Sequence, residues 1–114
     1  MSLFEKYNLE LKTMLDKVHI VTSNDNNQIL AQYLDLWNDS DEIKESLIPE
    51  IDLVLSEEIN YAYIGAEVVG VADIKKELTE LGQSDVGYSD LELPTEDFKE
   101  LIMQWLSLLE KEGR

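Results

Sequence analysis

Apolar residues along this chain recur mostly at helical spacing. Phe4, Tyr7, Leu11, Met14 and Val18 fall three or four apart, the stripe of an amphipathic helix, and predict a helix over residues 2–17. The short β-branched run Val18, His19, Ile20, Val21 suits a strand as well. Residues 23–27, SNDNN, are turn and capping chemistry, because short polar side chains bond nearby backbone amides. A second helix carries Ile29, Leu30, Tyr33, Leu34 and Trp37 and stops at the polar run NDSDE. Asp39 or Ser40 can cap a third helix over Ile43 and Leu47, with Asp41 and Glu42 at its positive end. Pro49 is tolerated only in a first turn, so a new helix is expected there, running through Ile51, Leu55, Ile59 and Ala62.

The stretch YAYIGAEVVGVA at 61–72 is ambiguous: its glycines weaken a helix while its tyrosines and valines suit strands. Asp73 can cap a short helix over Ile74, Leu78 and Leu81 that ends at Gly82. QSDVGYSDLELP at 83–94 reads as a long loop. Thr95 then caps the clearest helix, with Glu96 and Asp97 in its first turn, a stripe of Phe98, Leu101, Ile102, Trp105, Leu108 and Leu109, and Gly113 beyond its end. The expected fold is therefore mainly α: a compact bundle of five to six short helices forming one acidic helical domain over residues 1–114. A small strand pair around residues 61–72 is left open.

The length of 114 residues supports one core, since a typical domain has about 100 to 150. No run reaches the roughly 18 to 20 apolar residues of a bilayer-spanning helix, and the N-terminal MSLFEKYNLELK lacks a secretory pattern. The absence of cysteine excludes disulfides, thiolate nucleophiles and cysteine metal sites, and suits a cytoplasmic protein. Charge is the sharpest departure: 25 acidic residues against 9 basic ones give a net of −16. It is concentrated in two blocks, residues 35–58 with nine acids and Lys44 alone, and residues 77–100 with eight acids and Lys99 alone. Such a chain repels nucleic acid and anionic membrane, so its natural counterpart is a basic protein.

Catalytic chemistry has little to stand on. The single His19 has no nucleophile elbow beside it, and zinc would need a His/Cys cluster. NDSDEIKE at 38–45 places Ile43 where an EF-hand needs a ligand, SNDNNQIL at 23–30 lacks the loop glycine, and GAEVVG at 65–70 lacks the lysine of a phosphate-binding loop. No enzyme activity, cofactor or metal is expected. Trp37 and Tyr88 border the acidic runs, where aromatic residues serve as interface anchors.

Small size, absence of cysteine, helical patterning and two carboxylate blocks give a profile that resembles bacterial immunity proteins, including those of contact-dependent growth inhibition systems. DLWNDSDEIKE at 35–45 and GYSDLELPTEDF at 87–98 are the stretches where such a family would carry its contacts. The resemblance implies an inhibitor that covers the nucleic-acid-binding face of a cognate nuclease toxin domain with carboxylates. Its contact residues would be Asp35, Trp37, Asp39, Asp41, Glu42, Glu45, Asp85, Tyr88, Asp90, Glu92, Glu96 and Asp97. A nucleic-acid mimic acting on a restriction or CRISPR enzyme, and an acidic adaptor without inhibitory action, stay open beside it.

Overall fold

The computed structural model describes residues 3–66, 70–82 and 91–114. Its N-terminal stripe is not one helix. Helix α1 (Leu3–Lys6) ends at Asn8, whose φ of 57° is left-handed, and a hairpin follows, β1 (Glu10–Met14) and β2 (Lys17–Val21). Leu15 and Asp16, with φ of 52° and 66°, form the two-residue turn whose twist suits an antiparallel hairpin. The stripe misleads because burial does not follow it. Phe4, Leu9 and Ile20 enter the core while Leu11 and Met14 stay exposed, and the β-branched residues Val18, Ile20 and Val21 take the strand.

A 3₁₀ turn at Asp25–Asn27, capped by the Asn24 side chain on the Asn26 amide, leads into α2 (Gln28–Leu36). This helix buries Ile29, Leu30, Tyr33 and Leu34 of its predicted stripe together with Ala31, while Trp37 falls just past its end and is half-buried. Asp39 caps the next helical run, accepting from the amides of Asp41 and Glu42. That run comprises α3 (Ser40–Glu42), a wide π turn at Ile43–Leu47 and α4 (Ile48–Leu55). The π turn has a cause in Pro49. A proline one residue inside α4 cannot donate to the turn before it and its ring crowds that carbonyl, and the Ile48 amide instead reaches back to the carbonyl of Ile43.

The remaining strands form one antiparallel sheet in the order β3 (Tyr61–Ala66), β4 (Gly70–Lys75), β5 (Leu78–Gly82) and β6 (Leu91–Pro94), followed by α5 (Thr95–Lys111). The helix expected over 74–81 is thus the β4–β5 hairpin, because Ala72, Ile74, Thr79 and Leu81 are buried on alternate positions. Two antiparallel sheets, of two and four strands, packed with helices replace the mainly α bundle of five to six helices. It is a mixed α/β fold.

Helices α2, α4 and α5 cover one face of the four-stranded sheet. That face is built from two cross-strand rows, Ala62–Ile74–Thr79–Leu93 and Ile64–Ala72–Leu81–Leu91. Trp105, Tyr33 and Phe98 fill the layer between, and the Trp105 indole donates to the carbonyl of Trp37 at 2.7 Å. Gly70 is required where β4 begins: a Cβ there would stand 2.3 Å from the Gly82 carbonyl oxygen. Thr95 is not the cap the sequence implied but the first, fully buried residue of α5, its hydroxyl bonded to Thr79 and to the carbonyl of Lys75. These bonds pin the start of α5 to the β4–β5 turn.

Candidate partner-binding surface

Six basic residues are already committed within the chain. Lys6 pairs with Asp97, Lys44 with Glu110, Lys76 with Glu57, Lys99 with Asp52 and Arg114 with Glu112, while Lys75 lies 3.7 Å from both Asp73 and Glu80. What the acids can offer a partner is what these contacts leave.

Asp35 is spent inside the fold. Its carboxylate accepts from the Ile20 amide at 3.0 Å and contacts His19 Nδ1 at 3.1 Å, tying α2 to the edge of β2. His19 bonds no hydroxyl among the described residues, so its ring belongs to this tie. Trp37 is half-buried against Tyr33, with ring centres 6.4 Å apart. Its indole nitrogen is shut off from water without a partner among the described residues. Asp39 is a helix cap. Asp97 accepts from Tyr7 Oη at 2.6 Å and Lys6 Nζ at 3.0 Å. The Tyr7 hydroxyl and then the Lys6 ammonium hold its carboxyl below the usual carboxylate range, and burial, reinforced by Asp97, pushes the Tyr7 phenol up.

Asp41, Glu42 and Glu45 are exposed, with no cation in ion-pair contact among the described residues. They stand at the C-terminal end of α5, where the Ser40 amide meets the Arg114 carbonyl and Lys44 meets Glu110. Glu92 and Glu96, also exposed, lie at the other end of that helix. Seventeen residues at about 1.5 Å each separate the two groups by roughly 25 Å. Among the described residues these expected contacts therefore fall into two groups. Asp85, Tyr88 and Asp90 lie outside the described residues.

A more coherent surface is the sheet face on which no helix packs among the described residues. Across it the register aligns Tyr63, Asp73, Glu80 and Glu92 in a single row, one residue from each strand. Tyr61 lies beside that row on β3, opposite Lys75. Tyr61 and Tyr63 are 60% and 49% exposed, unusual openness for rings on a sheet. Asp73 Oδ1 has neither water nor a hydrogen-bond donor among the described residues. An open cleft of about 530 Å³, lined by Leu55, Lys76, Glu77, Pro94 and Glu96, adjoins one end of this face.

Sequence reasoning did not single out Tyr61, Tyr63, Asp73 and Glu80 as candidates. The alternation of Tyr61 and Tyr63 about buried Ala62 was their only signal, and it counts only once 61–66 is known to be a strand. No group of three or more metal-ligating side chains is assembled among the described residues. No described helix is long and apolar enough to cross a membrane. Comparison with family profiles, with curated proteins and with solved structures finds no match to this chain.

Proposed function

We propose that this protein is a non-catalytic inhibitor of the immunity type, which docks a basic nuclease domain on the helix-free face of its four-stranded sheet. The observation that carries the reading is the row Tyr63–Asp73–Glu80–Glu92, in which an aromatic ring and three carboxylates line up on one face, Tyr63 and Glu92 exposed and Asp73 and Glu80 half-buried. Tyrosine faces and carboxylates together are a receptor for arginine and lysine. The ring accepts the cation over its π face, and the carboxylates bind its N–H groups, bidentately for a guanidinium.

No bond need be made or broken for inhibition. A nuclease presents its cations to phosphate, and a partner occupying those cations excludes the substrate. The net charge of −16 accelerates the encounter by long-range attraction. Asp41, Glu42 and Glu45 contribute to this field from the far end of α5.

The test is binding to purified basic nuclease toxin domains, followed by association rates at about 25 and 200 mM salt, with nuclease activity read alongside. The combined variant Asp73→Asn, Glu80→Gln, Glu92→Gln is expected to slow association about tenfold or more at low salt with unchanged thermal stability. Tyr61→Ala with Tyr63→Ala is expected to speed dissociation. Association rates that ignore both salt and the triple variant would overturn the assignment of this face. Complexes that form without loss of nuclease activity would overturn the inhibitory role.

A further inference from the structure

The hairpin β1–β2 has one sealed edge and one open one. Along β2 the Ile20 amide donates to Asp35 at 3.0 Å, the Val18 amide points at Glu112 Oε1 at 3.4 Å, and the Val18 carbonyl accepts from Arg114 at 2.9 Å. Backbone groups of Val18 and Ile20 therefore face away from β1. In an antiparallel pair, residues opposite such positions also turn their backbone outward, so Leu11 and Thr13 aim their N–H and C=O groups off the far edge of β1. All five residues of β1 are exposed, and no backbone partner from another element meets that edge among the described residues.

An open edge is a template for another strand. We infer that its occupant is a second copy of this chain, paired antiparallel through β1 about a twofold axis at Leu11. Three antiparallel registers match outward groups to outward groups. Pairing Leu11 with Thr13 sets Lys12 against Lys12, and pairing Thr13 with Thr13 sets Glu10 level with Asp16. Pairing Leu11 with Leu11 sets Glu10 of each copy against Lys12 of the other. Only this third register joins opposite charges, and it does so twice by symmetry. Lys12, which opposes itself when Leu11 meets Thr13, here meets Glu10 instead.

Net charge agrees. Two copies at −16 each repel, yet residues 10–21 hold Glu10 and Asp16 against Lys12 and Lys17 and are neutral, so the hairpin is a place where copies can approach. Exposed apolar side chains gather there too: Leu11, Met14 and, at the hairpin tip, Leu15 at 97% exposure. The product is a four-stranded sheet, β2–β1–β1–β2.

Sedimentation equilibrium of the full chain at about 150 mM salt, from micromolar to near-millimolar protein, tests this. A concentration-dependent dimer is expected. Lys12→Glu and Glu10→Lys alone should each weaken it about tenfold or more, and the double exchange should restore it. Leu11→Pro should abolish it with an unchanged circular-dichroism spectrum, because the lost N–H serves no bond among the described residues. A monomer at every concentration, or a dimer whose strength ignores the charge exchange, overturns the inference. So does Leu11→Pro impairing nuclease binding while leaving self-association intact, which would give this edge to the basic partner.

Discussion

Asp97 fastens the first helix to the last. Two donors at the end of α1 and just beyond it, the Lys6 ammonium and the Tyr7 hydroxyl, converge on one of its oxygens, and their preference for a charged acceptor, the hydroxyl's first, is what lowers its pKa. A carboxyl whose pKa is lower folded than unfolded adds stability at pH values above its unfolded pKa. That contribution disappears as pH falls through the folded value. Asp97→Asn should therefore lower the urea midpoint at pH 7, and the gap between variant and native protein should close as pH drops below about 4, the ordinary aspartate range. A gap of equal size at pH 7 and pH 3 would mean that the Asp97 charge contributes nothing to the tie. Tyr7→Phe removes the shorter of the two bonds and should show the same loss at pH 7.

At the scale of elements, three helical runs were legible from a cap or from an apolar stripe. Asp39 caps the run from Ser40, α2 buries its predicted stripe, and α5 carries Phe98, Leu101, Ile102, Trp105 and Leu109 inward. The β elements were hidden for a common reason. Strands of four to six residues are too short to establish a period, so their apolar positions fit a helical spacing by accident, as Phe4–Val18 and Ile74–Leu81 do, and their pairing partners are needed to break the tie. The acidic site was obscured in the same way. Counting charge along the chain placed Asp73 in a neutral segment, whereas the sheet register sets it beside Glu80 and Glu92.

The hairpin turn also contradicts local preference. Leu15 holds a left-handed conformation with a branched side chain in solvent, where asparagine or glycine is favoured. Leu15→Asn is accordingly expected to stabilise the monomer by about 1 kcal/mol in thermal or urea unfolding. No gain, or a loss, would show that the exposed leucine makes contacts within the chain.

For the whole molecule, the opposition is between short ion pairs and long-range repulsion, and salt separates them. The pairs named above are mostly exposed, and such contacts are worth about 0–1 kcal/mol each, so screening them costs little. The net charge of −16 acts differently, because the folded protein measures only 39 × 30 × 29 Å. At about 10 mM salt the screening length is about 30 Å, nearly the width of the molecule, and every carboxylate feels the others across the fold. At about 150 mM it shrinks to about 8 Å, and only near neighbours still interact. Unfolding spreads the charges apart, so repulsion destabilises the compact state more than the open chain. The midpoint of thermal unfolding should therefore rise by several degrees between those two salt concentrations, in dilute protein where self-association is negligible. The same salt increase should slow association with a basic partner, since one field drives both effects. If the midpoint falls instead, the ion pairs outweigh the net charge, and the acidic surface is a device of internal stability more than a means of attracting cations.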